Sequence, residues 1–514
     1  MALMRSTVAF SSMTLLSRLA GLVRDMLQAA LFGAGMAADA FVIAYRIPNY
    51  LRRIFAEGSF SQAFVPVLAE IRERGDQAAL KSLVDHIAGA LCAATLLVTA
   101  AGVALAPWVV SLIAPGTLDE PGKHALTAEL LRITFPYLVF ISLASVAAAV
   151  LNSFQRFALP AATPILHNLA LIAAMLLFSS RFEEPIEALA WGVFAAGALQ
   201  LLVLWPALAR HGLLPRPRLS WRNSGVRRVA RLMLPTLFSS SVAQVNLLVG
   251  TAFASLLATG SQVWLYMGER LSEFPLGLFG VAVGTVILPH LSGRHAATDA
   301  PGFSRALDWG LRLVLLLAAP AALGLALLAE PLTTTIFQYG RFTAHDASMA
   351  ALALLAMSLG VPAFMASKVL APAFYARQDP KTPMRIALWT VAANIVLTVA
   401  IVAPLWLNAV PGAHAGIALA TSLAGLLNAG LLLRVLRRRG LYRPLAGWGW
   451  WLGRIALACA AMAVVVLACR GWIGDWNALA PLARVGWLLA TVAAGAGAYG
   501  AALLLLGLRP RHLM

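Results

Sequence analysis

Long runs of apolar residues fill most of this chain, and short polar, glycine- or proline-containing breaks separate them. A helical run of about 20 apolar residues crosses the roughly 30 Å of hydrocarbon in a bilayer. The runs therefore predict an all-α polytopic membrane protein with about fourteen spans, and they exclude an ordinary cytosolic globule. The predicted spans are 5–33, 36–70, 82–113, 126–151, 160–180, 186–208, 230–257, 262–292, 305–330, 346–375, 383–405, 412–434, 449–470 and 479–507.

Composition agrees with a membrane location and argues against nucleic-acid binding, disulfides and metal sites. Of the 514 residues, 61% are hydrophobic and 12% are charged, whereas soluble domains carry about 25% charged residues. A net charge of +18 in a membrane protein usually marks cytoplasmic loops, so we expect no nucleic-acid partner. Cys92, Cys459 and Cys469 are far apart and no Cys/His ligand spacing occurs. We therefore expect no disulfide framework, no metal site and no cofactor.

The distribution of Lys and Arg among the loops predicts the orientation. Loops on one side are rich in arginine, above all 210–228 and 434–443, whereas loops on the other side hold only Lys123, Arg181, Arg341 and Arg470. Basic loops stay in the cytoplasm. Both termini are therefore expected in the cytoplasm, as an even number of spans requires.

Short motifs recur along the chain and indicate an internal repeat. Phe10-Ser11-Ser12 recurs at 238–240, Ile47-Pro48 at 274–275, Phe154-Gln155-Arg156 at 375–377, and Arg210-His211-Gly212-Leu213 at 438–441, all at offsets of 220 to 228. These matches predict two six-helix lobes as parallel repeats, 1–220 and 225–444, followed by two extra helices in 449–507.

Charged residues inside the predicted spans are concentrated on the first, second and eighth. An ionisable residue at mid-membrane costs at least about 2.5–3.5 kcal/mol on insertion scales, so it normally faces protein or a water-filled cavity. The pattern predicts a hydrated cavity between the two halves, where transporters with parallel repeats bind substrate. The residues concerned are Arg18, Arg24, Asp25, Asp39, Arg46, Arg52, Arg53, Glu57, Glu269, Arg270 and Glu273.

Spacing within these spans suggests which side chains meet. Residues three or four apart share a helix face, which favours the pairs Arg53–Glu57 and Arg270–Glu273. Arg18 and Arg24 differ by about 120° around an ideal helix, so they converge on one ligand only if α-helical structure bends or unwinds at the glycine between them.

Arginine, with its planar fork of donors, favours a phosphate or carboxylate ligand. The competing interpretation is that these residues snorkel or pair with one another. Asp25, Asp39 and Glu273 fit internal counter-ions as well as substrate or proton contacts, and Lys368 fits a structural or gating residue.

No catalytic motif stands out, and the chain is not expected to be an enzyme. Residues 116–124 resemble a phosphate-binding loop but have one residue too many and His in place of Ser or Thr. Without a nucleotide site, transport would draw on an ion gradient, the membrane potential or the substrate's own gradient.

Several long motifs carry a family resemblance. They are SSMTLLSRLAGLVRD at 11–25, FGAGMAADAF at 32–41, PNYLRRIFAEG at 48–58, FSQAFVP at 60–66, ERLSEFP at 269–275 and RQDPKTP at 377–383. These motifs closely resemble the MurJ (MviN) family of lipid II flippases. The resemblance covers the whole chain. It implies the two-lobed fold of the superfamily of drug, oligosaccharide-lipid and polysaccharide exporters.

The resemblance also implies a function and a set of site residues. Such a protein moves lipid II, undecaprenyl-pyrophosphoryl-MurNAc(pentapeptide)-GlcNAc, from the cytoplasmic to the periplasmic leaflet of the bacterial inner membrane for peptidoglycan synthesis. Its partners would be lipid II and membrane lipid, and one chain would function as a monomer. The family's cavity arginines fall on Arg18, Arg24, Arg52 and Arg270, and its acids and gating residues on Asp25, Asp39, Arg53, Glu57 and Glu273.

Two further expectations follow from the resemblance, and two alternatives stay open. The extra helices in 449–507 would form a groove for the polyprenyl tail. Some relatives hold a sodium ion near the seventh and eleventh helices, but here the seventh span has no carboxylate and Asp379 is the only nearby acid. The alternatives are an exporter of another lipid-linked glycan or a drug, and a membrane scaffold for cell-wall synthases.

Overall fold

The computed structural model describes residues 2–220, 223–277, 281–297 and 299–508. Over these residues the regular structure is helical and contains no strand, which confirms the predicted all-α class. The α-helices are α1 (Ala2–Phe32), α2 (Met36–Arg52), α3 (Gly58–Glu73), α4 (Gln77–Ala104), α5 (Ala106–Ile113), α6 (Pro121–Thr134), α7 (Tyr137–Ser153), α8 (Ala158–Phe178), α9 (Glu187–Arg210), α10 (Ser224–Ser255), α11 (Ser261–Pro275), α12 (Val281–Ala296), α13 (Ala300–Leu327), α14 (Ala329–Phe337), α15 (Ala344–Ser358), α16 (Val361–Tyr375), α17 (Lys381–Leu407), α18 (His414–Arg438), α19 (Trp448–Ile473) and α20 (Pro481–Leu505).

Most of the predicted spans coincide with helices long and apolar enough to cross a membrane. Within the described residues nine helical segments meet that test, and a tenth is formed by α15 and α16 if this pair, bent by 42°, is one span. The nine are 77–104, 121–153, 158–181, 187–210, 300–327, 381–407, 414–438, 448–473 and 481–505. The total of fourteen therefore stays a prediction.

The other four predicted spans are helical but charged or interrupted. The first corresponds to α1, which carries Arg18, Arg24 and Asp25. The second is broken into α2 and α3 by a π-helical turn, and the eighth into α11 and α12, so that no piece exceeds 17 residues. The seventh corresponds to α10. Three of these four spans, the first, second and eighth, are the ones in which the sequence places charged residues.

The first compact unit comprises residues 1–262 with 339–341. Its core joins α2, α3, α4, α6, α7 and α9, and among its fully buried side chains are Phe60, Phe64, Leu130 and Tyr137. Helix α10 packs on α3 and α4 and belongs to this unit. Helix α10 is the first helix of the second predicted repeat, and a helix at such a boundary can pack on either copy. The division into compact units therefore does not test the predicted lobe bounds at 220 and 225.

The second compact unit comprises residues 263–338 and the chain from 342 onwards. Its core joins α13, α16 and α18 through residues such as Leu307, Val369, Phe374 and Leu436. The last two helices, α19 and α20, pack on each other, and α19 also packs on α13. Both carry large exposed apolar side chains on their other faces, which a membrane would cover.

Equivalent features of the two predicted repeats stand 223 residues apart. Asp76 caps the start of α4 by accepting from Ala79 N, and Asp299 caps α13 by accepting from Gly302 N. Gln155 and Gln378, in the turns after α7 and α16, have left-handed backbones with φ of 61° and 57°. Two non-glycine residues in so uncommon a conformation at one offset support the repeat. At this offset Arg156 corresponds to Asp379, whereas the motif match pairs it with Arg377.

Asp85 of α4 holds the segment that follows α9. Its carboxylate accepts a hydrogen bond from Arg216 N at 2.8 Å, its carbonyl accepts one from Arg218 N at 3.0 Å, and Lys81 is its ion-pair partner. Gly89, one turn later, allows this segment to cross, because a Cβ there would lie 2.3 Å from Arg218 O.

Asp308 of α13, 223 residues after Asp85, holds the segment that follows α18. Its Oδ1 accepts from Leu445 N at 3.1 Å, Tyr442 OH at 2.8 Å and Trp448 Nε1 at 2.7 Å. Burial, together with the hydrogen bond to Asp308, raises the pKa of Tyr442. Arg312 pairs with the carboxylate at 2.7 Å. The acid thereby fixes the point at which the two extra helices leave the second repeat.

Candidate functional site

A buried polar cluster around Arg24 joins α1 to α8. Arg24 is 7% exposed and Asp25 1% exposed. The guanidinium donates to Asp25 Oδ1 from Nε at 3.0 Å and from Nη2 at 2.5 Å, and its Nη1 donates to Asn168 Oδ1 at 3.1 Å. Arg24 therefore lies inside the protein with its donors directed at anionic or polar oxygen, the arrangement that a phosphate could take over.

Asn168 and its neighbour His167 were not identified from the sequence. Asn168 Nδ2 donates to Ser17 O at 3.1 Å, so the amide of Asn168 bonds two residues of α1, Ser17 and Arg24. His167 Nε2 lies 3.1 Å from Tyr45 OH, and its ring is stacked near Tyr45. Two consecutive polar residues in the apolar run of α8 were the available signal, since buried polar groups need partners.

Arg18 is placed differently from Arg24. It is partly exposed, and no hydrogen bond or ion pair joins it to any residue that the structure describes. Helix α1 is continuous across Gly21. The unwinding that would bring Arg18 and Arg24 to one face is therefore absent in this conformation.

The cationic stretch of α2 ends in a π-helical turn over Arg53–Glu57, after Pro48 inside the helix. Proline removes a backbone donor, and π-helical turns occur frequently at functional sites. Arg52 donates to Asn49 Oδ1 from Nε at 3.1 Å and from Nη2 at 2.9 Å. The side chain of Glu57 lies outside the described residues, so the predicted Arg53–Glu57 pair stays a prediction.

Arg46 and Arg53 line a small cavity next to α10. The cavity has a volume of about 10 Å³, roughly the space of one water molecule. Gln244 of α10 also lines it, and Arg46 Nη1 donates to Thr251 Oγ1 at 2.6 Å. Within the first unit, then, Arg46 and Arg53 lie next to polar groups of α10.

Asp39, at the start of α2, is a fully buried acid with a partner that sequence reasoning missed. Its Oδ2 lies 3.3 Å from Lys123 Nζ and accepts a hydrogen bond from Gly260 N at 2.8 Å. Asp39 and Lys123 are each 1% exposed, and Glu120 lies 3.6 Å from the same lysine. Lys123 was set aside with the phosphate-loop resemblance of residues 116–124, whereas its role here is to neutralise Asp39.

In the second unit, Arg270 and Glu273 of α11 form the pair that their spacing predicted. Arg270 Nη1 donates to Glu273 Oε2 at 3.2 Å, and the side chains are 31% and 45% exposed. Glu273 stands two residues and Arg270 five residues before Pro275, the residue at which α11 ends. An arginine with a partly exposed acidic partner can exchange that partner for a phosphate.

Two further residues of the second unit were singled out from the sequence. Lys368 is an exposed residue of α16. Asp379 accepts from Thr382 Oγ1 at 2.6 Å and from Arg439 Nη1 at 2.7 Å. The Thr382 hydroxyl, followed by Arg439, lowers the pKa of Asp379. Asp379 is thus already hydrogen-bonded to neighbours in its own unit.

The described residues contain no group of three or more His, Cys, Asp or Glu side chains arranged to hold a metal ion.

Comparison with known proteins agrees with this architecture. A family model described as "Lipid II flippase MurJ" matches residues 28–480. The chain is 41% identical to a probable lipid II flippase MurJ of Haemophilus influenzae, over 98% of this chain and 99% of that protein. It is 41% identical to the lipid II flippase MurJ of Burkholderia cenocepacia, over 99% and 98%.

Solved structures give the same result at the level of the fold. A lipid II flippase MurJ in an inward closed conformation superposes with a TM-score of 0.81 at 25% identity, over 96% of this chain and 98% of that one. An inward-facing multidrug MATE transporter of the MOP superfamily gives 0.69 at 12% identity, over 84% and 98%, and so shares the fold alone. This multi-pass membrane protein belongs to the MurJ family of lipid II flippases.

Proposed function

We propose that this protein moves lipid II from the cytoplasmic to the periplasmic leaflet of the bacterial inner membrane, for peptidoglycan synthesis. The observation that carries the proposal is the family match across residues 28–480, with relatives of the same name along nearly the whole chain. In this proposal a single chain acts as a monomer, performs no chemistry on the lipid and keeps both termini in the cytoplasm.

The pyrophosphate of lipid II is the part that the protein must neutralise. An unpaired charge is very costly in hydrocarbon, so the headgroup needs cationic partners along its path. Arg18, Arg24, Arg52 and Arg270 bind it in this proposal. The fork-like contacts of Arg24 with Asp25 and of Arg52 with Asn49 support such a role, because a phosphate oxygen offers guanidinium the same acceptor geometry.

The acids act as internal counter-ions that the substrate displaces. Asp25 accepts from Arg24 and Glu273 from Arg270 when no pyrophosphate is bound. Exchange of partner lets the guanidinium groups of Arg24 and Arg270 keep a negative oxygen throughout the cycle. The π-helical turn that follows α2, with Pro48 before it, and the end of α11 at Pro275 allow the helices to change shape during transport.

Two other parts of the chain complete the proposal. The Asp39–Lys123 pair lies on the predicted periplasmic side and keeps that end of the first unit closed. The apolar outer faces of α19 and α20, which include Leu457, Val464 and Leu489, lie along the polyprenyl tail. The tail stays in a lipid-like environment while the headgroup crosses.

The test uses a strain in which the native protein can be depleted. We would measure the fraction of lipid II that is accessible from the periplasm, with wild type, Arg270→Ala or Arg294→Ala supplied in trans. Arg294 is a matched control, since it is an exposed arginine at the end of α12 that pairs with Asp299. We expect depletion to abolish accessibility, and wild type and Arg294→Ala to restore it where Arg270→Ala does not.

The alternatives give different results in this experiment and in a binding competition between lipid II and other polyprenyl-linked glycans. If accessibility persists while cell-wall synthesis fails, the protein is a scaffold for the synthases and not the transporter. If other polyprenyl-linked glycans compete with lipid II for binding as strongly as lipid II itself, the substrate is broader than proposed. If Arg270→Ala restores normal accessibility of lipid II, the assignment of Arg270 to the binding site is wrong, whereas the proposal that the protein transports lipid II still stands.

A further inference from the structure

A cavity of about 510 Å³ opens beside the turn between α7 and α8 in the first unit. Its wall is apolar and includes Leu151, Phe157, Leu159 and Ala207. Its polar lining comes from Gln155, Arg156, Arg210 and His211. None of the residues assigned above to lipid II transport lines it.

The cavity is shaped before any ligand arrives. Gln155 adopts its left-handed backbone (φ 61°), and Arg156 N donates back to Leu151 O at 3.0 Å, which fixes the turn. On the other side the His211 ring stacks on Phe154 with 4.9 Å between centroids. A preformed site costs less ordering entropy on binding than one that must be assembled.

Positive charge at this cavity has no acidic partner among the residues that the structure describes. Arg156 and Arg210 are exposed, and neither forms an ion pair with any residue in the described ranges. Arg156 follows α7 and Arg210 ends α9, at helix ends that the Lys/Arg distribution predicts to face the cytoplasm.

The corresponding corner of the second repeat contains an acidic residue by contrast. At the offset of 223 that relates Gln155 to Gln378, the residue in the place of Arg156 is Asp379. At the offset of 228 that relates the ends of α9 and α18, the residue in the place of His211 is Arg439. Asp379 and Arg439 form an ion pair at 2.7 Å. The second corner thus supplies its own anion, whereas the first has an arginine where that anion would be.

We propose that this first-repeat cavity binds an anionic phospholipid of the cytoplasmic leaflet, with the phosphate between Arg156 and Arg210 and the upper acyl chain on the apolar wall. The two unpaired guanidinium groups match a phosphate by charge and by hydrogen-bond geometry. The apolar wall explains why a lipid, and not a free anion, is the ligand. The site is independent of the proposed transport of lipid II.

Native mass spectrometry of the full-length protein, titrated with dioleoylphosphatidylglycerol or dioleoylphosphatidylcholine, tests the proposal. We expect tighter retention of phosphatidylglycerol by wild type, and a loss of about fivefold in affinity for each arginine replaced, in Arg156→Gln and Arg156→Gln/Arg210→Gln. Arg437→Gln/Arg438→Gln, at the end of α18, is the matched control and should bind as wild type. Arg156→Asp, which places an acid where the second repeat has one, should abolish the preference between the lipids.

Several results would overturn the proposal. They are equal retention of the two lipids by wild type, unchanged binding by the arginine variants, or an equal loss in the control. Displacement of phosphatidylglycerol by inorganic pyrophosphate would identify a plain anion site. Displacement by undecaprenyl pyrophosphate alone would assign the cavity to the transported substrate. If the double variant fails to fold, the single Arg156→Gln variant decides the same question.

Discussion

Asp39 and Lys123 form an ion pair in which each side chain is 1% exposed, with 3.3 Å between Asp39 Oδ2 and Lys123 Nζ. Removal of one partner from a buried pair costs about 3–5 kcal/mol, because the other charge is left without compensation. We therefore expect Lys123→Met to lower the thermal unfolding temperature of the purified protein markedly. Asp39→Asn combined with Lys123→Met should lose less than the sum of the two single variants, and additive losses would contradict the pair.

Asn168 offers a test of whether the orientation of Arg24 matters for transport. Asn168→Leu removes the acceptor for Arg24 and the donor to Ser17 O, and a lost hydrogen bond to a charged group costs about 1.5–3 kcal/mol. We expect reduced periplasmic accessibility of lipid II at normal protein abundance. Asn168→Asp keeps the acceptor for Arg24 and should retain more transport than Asn168→Leu. Equal loss in both variants would separate Asn168 from the action of Arg24.

Glu273 distinguishes a transport role from a structural one. Its pair with Arg270 is partly exposed, at 31% and 45%, and exposed pairs contribute about 0–1 kcal/mol to stability. Glu273→Gln should therefore leave the unfolding temperature almost unchanged while transport falls, because Arg270 loses the counter-ion that it exchanges for phosphate. A large drop in unfolding temperature with unchanged transport would reverse this assignment.

The contacts of Asp379 in the second unit lead us to expect that it stabilises the folded protein less at acid pH. Its pKa is lowered in the folded state, first by the Thr382 hydroxyl and then by Arg439. A lowered folded-state pKa stabilises the protein above the ordinary Asp value of 3.8, and this contribution is lost as the pH falls through the lower value. Unfolding temperatures measured from pH 7 to pH 3 should fall more for wild type than for Asp379→Asn. Parallel profiles would show that the carboxylate contributes nothing.

Features that depend on local spacing could be predicted from the sequence. Apolar runs gave the positions of the helices, and a separation of three residues gave the Arg270–Glu273 pair. The charged helices stood out because arginine and acid are costly in an apolar run. The family resemblance also rested on short continuous stretches of sequence, such as 11–25 and 269–275.

Features that depend on which helices pack together could not be predicted in the same way. Lys123 meets Asp39 across 84 residues of sequence, and Asn168 meets Arg24 across 144. Helix periodicity gives the face on which a residue stands but not the helix opposite it. The offset of 223 between the left-handed Gln155 and Gln378 also became visible only from the backbone, since the nearby motif match has an offset of 221.

Asp85 and Asp308 draw their cations from opposite directions along the helix, Lys81 one turn before and Arg312 one turn after. Position 89 is the counterpart of Arg312, and it is the glycine over which the backbone of Arg218 crosses, so no side chain fits there. The two halves consequently cannot exchange segments freely. A chimera in which α13 replaces α4 would bring an arginine to position 89 and displace the segment around Arg218 that crosses there. The chimera would need a glycine at position 89 and the cation at position 81.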